Sequence, residues 1–550
     1  MSKRVAMLIE TGSIQDFVFG NNELAQNIGA SELVTQVTTD WLFRPSDGLL
    51  KGSHNAGLAK KSTASRWELS DRTLDDGLDL EIVYAGGGNA LILFKDESPA
   101  KILITGLTSR AVVEAPGLRL FIASKSYNTG ELYSTVAELR KEVAHLKRIP
   151  QKDAPLLGLG VTAACDFTGG PAVGIDDKGR YISAAVKAKQ KLGSVDGAGN
   201  QRLLEYAGSV LPPNFGFIYN FNKIGVRDES SFLAVVHTDG NRMGERIGAY
   251  VEQSSSSDQA FVKAQRDFSI RIQESALEAL TSTIKLLVSP ENLKLDPDPI
   301  NGLWQFKIAG VIPVLRELAE ERLPFRPIVF GGDDVTFVCD GRLGLPLAAN
   351  YLKTLAACKM PDGEPLYARA GIAIVKTHFP FARAYALAEK LGVSAKKYIH
   401  NIDPEGRRIS AMDWHFATTG VVQPLAKLRT REYTGNSGGS LLMRPLRLAP
   451  FDAGEWRAYD VFADIIHEFL RKDGPWGKRR NKIKALREAL RAGPDAVRLL
   501  LRSIPGQPHL PVPGALRRMG DAAASGWQGD ECIHFDAVEA LDFTVPLKEK

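Results

Sequence analysis

Two apolar segments joined by a four-residue turn constrain this chain more than any other feature. Ile328-Val329-Phe330 runs into Gly331-Gly332-Asp333-Asp334, and the apolar stretch 335–339 follows. Glycine makes so tight a reversal possible, so the spacing predicts a β-hairpin with two carboxylates side by side at its tip. A second near-pure apolar strand, 232–236, runs into His237-Thr238-Asp239-Gly240-Asn241. If the two strands are neighbours in one sheet, Asp239, Asp333 and Asp334 converge at one sheet edge. Crowded carboxylates repel, and raised pKa values neutralise some of them. A divalent cation removes that penalty, and oxygen ligands of this kind suit Mg²⁺ or Mn²⁺. A pair of such ions activates a hydroxyl and stabilises a leaving oxygen in an in-line phosphoryl displacement. Each turn alone also reads as a solvated loop tip. Together, on two apolar strands, they form a specific pattern.

The 550 residues correspond to about three or four domains at ~150 residues each. Punctuation divides them into 1–147, 148–228, 229–420 and 421–550. In the first segment the patterning predicts a strand over 5–9, a helix over 22–43, two strands over 78–84 and 90–94 around Gly86-Gly87-Gly88-Asn89, and a helix over 135–146. The second is a connector rich in turn signals. The third adds a long amphipathic helix over 259–288, helices over 346–359 and 381–391, and a strand over 368–375. The last is helical in pattern, over 456–470 and 478–501. Strands alternating with helices favour an α/β or α+β sandwich with helices on one face of a sheet.

The first and third segments share a layout. Each opens with an apolar strand ending at an acid (Glu10, Asp239) and later carries a strand–Gly-Gly–strand hairpin, which predicts an internal duplication. Gly88-Asn89 stands in the first copy where Asp333-Asp334 stands in the second, so only the second has kept its charge.

Composition excludes several classes. No run of about 18 uncharged apolar residues exists, so no membrane-spanning helix is expected. Cys165, Cys339, Cys358 and Cys532 lie far apart without a C-x-x-C pair, which argues against a disulfide scaffold and suits a reducing cytoplasm. They are expected as small buried hydrophobes, and His237 as a packed sheet residue. A net charge of +5 confines any nucleic-acid contact to a local patch, for which the stretch Lys478 to Lys484, with Arg487, Arg491, Arg498 and Arg502, is the candidate.

Three passages carry a family resemblance. They are Ala-Val-Val-His-Thr-Asp-Gly-Asn-Arg-Met-Gly from Ala234 to Gly244, Pro-Ile-Val-Phe-Gly-Gly-Asp-Asp-Val-Thr-Phe-Val from Pro327 to Val338, and Ala-Gly-Ile-Ala-Ile-Val from Ala370 to Val375, followed by Phe379 to Ala384 and Ser394 to Lys397. They resemble the catalytic second palm of the large subunit of type III CRISPR effector complexes. The opening Gly12 to Phe17, with Gly29 to Leu33, is similar to that family's degenerate first palm, and Phe535 to Phe543 resembles its C-terminal region.

The resemblance implies two ferredoxin-like palms, a connector and a C-terminal helical domain. It implies synthesis of cyclic oligoadenylate messengers from ATP with two divalent ions. Asp239, Asp333 and Asp334 would then be the acidic set. Gly331, Gly332, Gly240 and Asn241 would line the nucleotide, and Lys396 and Lys397, just past a helix, would meet the triphosphate. Implied partners are other type III effector subunits, guide RNA and target RNA. Three departures follow. Asn241 stands where the family often has a second acid. The family's four-cysteine zinc finger is reduced to Cys165, so zinc is not expected. The palm-like sequence starts at residue 5 and no His-Asp dipeptide occurs, so DNA cleavage by the family's nuclease domain is not expected. Two other readings stay open: a non-catalytic scaffold or RNA-binding subunit of such a complex, and a cyclase making a cyclic mono- or dinucleotide.

Overall fold

The structure is a computed structural model that describes residues 3–58, 67–149, 160–224, 231–297, 304–317, 320–406, 408–417, 424–448, 455–514 and 520–548. The first unit runs β1 (Arg4–Gly12), α1 (Ile14–Phe19), α2 (Leu24–Thr38), α3 (Asp40–Phe43), β2 (Leu80–Gly86), β3 (Asn89–Phe94), α4 (Glu97–Glu114), β4 (Arg119–Tyr127) and α5 (Leu132–Arg148). Its four strands form an antiparallel sheet in the order β2-β3-β1-β4. The uninterrupted apolar run of β1 follows from its central place, with both faces buried. The stretch predicted as one helix over 22–43 is interrupted at Thr39, whose backbone (φ −132°, ψ −85°) is not helical.

The connector contributes α6 (Ala184–Gly193) and α7 (Ala198–Ala207), both packed on α2. The second unit repeats the first: β5 (Phe232–Gly240), α8 (Met243–Ser254), α9 (Asp258–Val288), β6 (Phe325–Val329), β7 (Val335–Asp340), α10 (Gly344–Ala357), β8 (Ala368–Lys376) and α11 (Phe381–Ile402). Its sheet extends the same core order by β9 (Ala411–Ala417), parallel to β8, and a short β10 (Leu446–Arg447), giving β6-β7-β5-β8-β9-β10. Both units are β-α-β-β-α-β ferredoxin-like modules, so the expected α+β class with two palm-like sheets is the observed one.

The registers make the duplication concrete. Ile9 pairs with Ala90 and Glu10 with Asn89 in the first sheet, and Thr238 pairs with Val335 in the second. Superposing them puts Glu10 on Asp239 and Gly88-Asn89 on Asp333-Asp334.

The sheets are buried on both faces. Leu233, Val235 and Val338 share one core with Val5, Met7 and Ile9 of the first unit. Ala234, Val236 and Phe337 pack on the other side, against α9 and α10. Helix α9 ties the units together: Arg266 forms a buried ion pair with Glu81 of β2 at 3.0 Å, and Asp258 accepts the Gly130 amide at 2.8 Å.

The C-terminal segment is helical as expected: α12 (Leu425–Glu432), α13 (Tyr459–Leu470), α14 (Arg480–Ala492), α15 (Pro494–Ser503), α16 (Gly520–Ser525) and α17 (Phe535–Ala540). The helix predicted over 478–501 is two, divided at Gly493 and stopped by Pro494. The four cysteines are buried and free. Among the described residues no helix is long and apolar enough to cross a membrane.

Candidate active site

Strands β5 and β7 are adjacent and antiparallel, so the hairpin and Asp239 arrive at the same end of the sheet. Gly331 turns the chain at φ 104°, in the left-handed region glycine favours. Gly240 then lets the tip close on β5: a Cβ there would lie 3.1 Å from the Asp333 Cβ. The two hairpin carboxylates are half-buried side by side. Burial, and then the neighbouring Asp334 charge, push the Asp333 carboxyl up to about 6.

Among the described residues, neither Asp333 nor Asp334 is paired with a lysine or arginine. Asp334 Oδ1 is buried without a hydrogen bond. It lies 3.2 Å from His237 Nδ1, but that nitrogen is engaged with the Thr336 hydroxyl at 3.3 Å. His237 is packed as expected, its ring edge-on to Tyr385 at 5.4 Å, and it also borders the hairpin acids. The buried Tyr351 and Tyr385 hydroxyls are driven upward by burial and then by the Asp334 charge, so both phenols stay neutral beside the acids.

Asp239 behaves differently. The register places it opposite Arg369 of β8, whose guanidinium forms an ion pair with its carboxylate and lies 3.5 Å from the Gly240 carbonyl. Among the described residues no three His, Cys, Asp or Glu side chains are gathered so as to hold a metal. Of the three acids, Asp239 is the one engaged by an arginine of the chain itself. The hairpin pair alone fits one divalent ion: two crowded carboxylates, one with an orphaned oxygen, are the donor set such an ion would relieve.

Asn241 is turned away from the hairpin. It is buried, and its amide donates to the Ile409 carbonyl at 3.1 Å. Lys396 and Lys397 do not lie past a helix as expected but within α11, exposed. The helix expected over 381–391 continues through Gly392, which packs beneath β8, where a Cβ on Gly371 would lie 2.4 Å from the Gly392 nitrogen. Among the described residues no ion pair joins either lysine to the three acids. Much of the basic C-terminal stretch is engaged internally: Arg480 with Asp542, Arg498 with Asp521, and Arg491 with the Glu432 carbonyl.

A cleft of about 660 Å³ opens on the hairpin acids. One wall is the turn 330–334. The opposite wall is the first unit's equivalent turn, through Gly86, Gly87 and Asn89, with Gln273 of α9 between them. Arg119 and Lys147 of the first unit also line it. Sequence reasoning missed Gln273, Arg119 and Lys147, because no local motif marks residues that only tertiary packing brings to a cleft.

No family model matches the chain, and no curated protein matches it. Solved structures do. The chain is similar to a Csm1–Csm4 cassette in complex with cA4, with a TM-score of 0.48 and 13% identity over 98% of this chain and 69% of that one. A Csm1–Csm4 cassette in complex with pppApApA gives 0.49 and 13% over 99% and 70%. Csm1 in T. onnurineus gives 0.39 and 12% over 78% and 57%.

Proposed function

We propose that this chain is a nucleotidyltransferase that joins ATP into cyclic oligoadenylate messengers, as the large subunit of a type III CRISPR-like defence system in the cytoplasm. The observation that carries the reading is the pair Asp333–Asp334, without a lysine or arginine partner among the described residues, at the mouth of a cleft of about 660 Å³ between two palm-like units. The motif resemblance of the three second-palm passages supplies the reaction class and the choice of adenine.

In this reading Asp333 and Asp334 hold a divalent ion. When bound, that ion supplies charge neutralisation at the α-phosphate and makes the attacking 3′-hydroxyl more acidic. Gly331 and Gly332 present backbone without side chains to the triphosphate. His237 borders Asp334 at 3.2 Å, and Tyr385 closes that face with a neutral ring. The first unit has Gly88-Asn89 in place of carboxylates. It serves as the far wall that fixes the second nucleotide's position, through Arg119 and Lys147, with Gln273 of α9 between the two walls. The 3′-hydroxyl of one ATP attacks the α-phosphate of the other, and pyrophosphate leaves. Lys396 and Lys397, exposed on α11, are available to attract the triphosphate. The exposed Lys478, Lys482 and Lys484 are the chain's means of contacting guide or target RNA.

The test is to incubate the purified chain with each nucleoside triphosphate and Mg²⁺ or Mn²⁺, with and without RNA, and identify products by mass spectrometry. Cyclic oligoadenylates from ATP are expected. A cyclic product from GTP alone would move the assignment to a guanylate cyclase, and silence with every substrate would favour a scaffold.

A further inference from the structure

Arg369 is the unexpected member of the site. It stands directly across the β5–β8 register from Asp239. Its guanidinium is held by that carboxylate and by the last carbonyl of β5, and its side chain is only 15% exposed. The first unit makes an independent parallel: Glu10, which occupies the position of Asp239, is paired with Lys147. In both copies the strand-end acid is neutralised by a cation of the chain. What differs between the copies is the hairpin, charged in one and uncharged in the other.

An arginine here is a permanent charge, since its guanidinium does not deprotonate at any working pH, and its planar fork suits a carboxylate. Held against Asp239, it supplies positive charge where a second metal ion would otherwise be required, and it withholds a ligand from that ion. We propose that Arg369 is a positioning residue that stands in for a second divalent ion: it holds Asp239 as its own counter-ion, so that the site takes one ion rather than two. This rests on reading the hairpin as a divalent-ion site.

The test counts ions rather than product. The full-length chain is titrated with Mn²⁺ alone, without nucleotide, and free Mn²⁺ is read by electron paramagnetic resonance. Wild type is expected to bind one Mn²⁺ and Arg369→Gln two, a twofold rise that Asp239→Asn in the same chain reverses. Arg369→Lys, which keeps the charge, stays at one. Two ions on wild type, or one on a folded Arg369→Gln chain, overturns the role of Arg369 while leaving the hairpin site intact. No ion on any variant overturns both. Loss of the single ion in Asp333→Asn shows that the hairpin holds it. If Arg369→Gln does not fold, the wild-type count and the Arg369→Lys count decide the matter.

Discussion

Asp334 and His237 meet beside the β5–β7 pairing, carboxylate oxygen to imidazole Nδ1 at 3.2 Å, with the imidazole buried against Tyr385. Residues 237 and 239 share one face of β5 by alternation. The hairpin acid, the histidine and the strand-end acid therefore lie on one side of the sheet, toward α11. The side chain beneath a ligand sets its direction, and losing such a partner typically costs metal affinity or activity about 10–100-fold. His237→Phe keeps a ring against Tyr385. It should lower product formation by about tenfold or more, with the melting temperature little changed. Unaltered turnover would mean that the imidazole does no more than fill space.

The uncharged hairpin of the first unit is not a silent copy waiting to be restored. Gly88 has φ 82°, and a Cβ there would fall 2.2 Å from Thr11 Oγ1. Gly88→Asp should destabilise the fold by about 1–3 kcal/mol through overpacking and left-handed strain. Asn89 is exposed at the start of β3, so Asn89→Asp should be near neutral, within about 0.5 kcal/mol. Denaturant unfolding of the two variants makes the comparison.

Close packing of α11 on β8 depends on Gly371, where a Cβ would lie 1.9 Å from the Ala388 carbonyl oxygen. The contact is with backbone and cannot yield by a rotamer change. Gly371→Ala should cost about 1–3 kcal/mol, the range for overpacked cores. A Cβ on Gly392 would meet only ordinary contacts at 3.8 Å or more, so Gly392→Ala should be neutral or slightly stabilising, because alanine is the better helix former. Equal losses at both positions would contradict the packing described.

Acid should reveal the junction between the second sheet and the C-terminal helices. His415 is pushed down to about 3 from its usual 6.5, by burial and by the Arg444 and Arg429 charges. Between those two values the unfolded chain takes up a proton that the folded chain refuses, so stability falls as pH drops through that window. His415→Phe removes this contribution. Its unfolding free energy should decline less steeply than wild type from pH 6.5 to 4, and parallel curves would show that His415 is not held neutral.

The strands that flank the two hairpins, the Gly-Gly-Asp-Asp turn and the duplication are legible in the sequence, because each is a local signal: an apolar run, a turn residue at a fixed offset, a repeated order of elements; the strands Arg119–Tyr127 and Ala411–Ala417 are not. The continuation of α11 past Gly392 is not, since a glycine placed for helix–strand contact looks the same as one that ends a helix. The Asp239–Arg369 pair is also hidden. It joins residues 130 positions apart, and only the strand order brings them opposite. The same holds for Arg119, Lys147 and Gln273, which reach the cleft from three separate elements. The acids are visible in the sequence, but the pairing of Asp239 with Arg369 is not, because charge pairing belongs to the folded chain.

Paired reactions of wild type and the Asp333→Ala/Asp334→Ala double variant with ATP and Mn²⁺ address the central claim most directly, with pyrophosphate release followed and products weighed. Wild type should release pyrophosphate and accumulate cyclic oligoadenylates. The double variant should lose at least about a hundredfold of that rate, since even a supporting partner of a metal ligand is worth up to that much, while melting as wild type does. Undiminished release from a folded double variant would contradict the assignment of the hairpin acids.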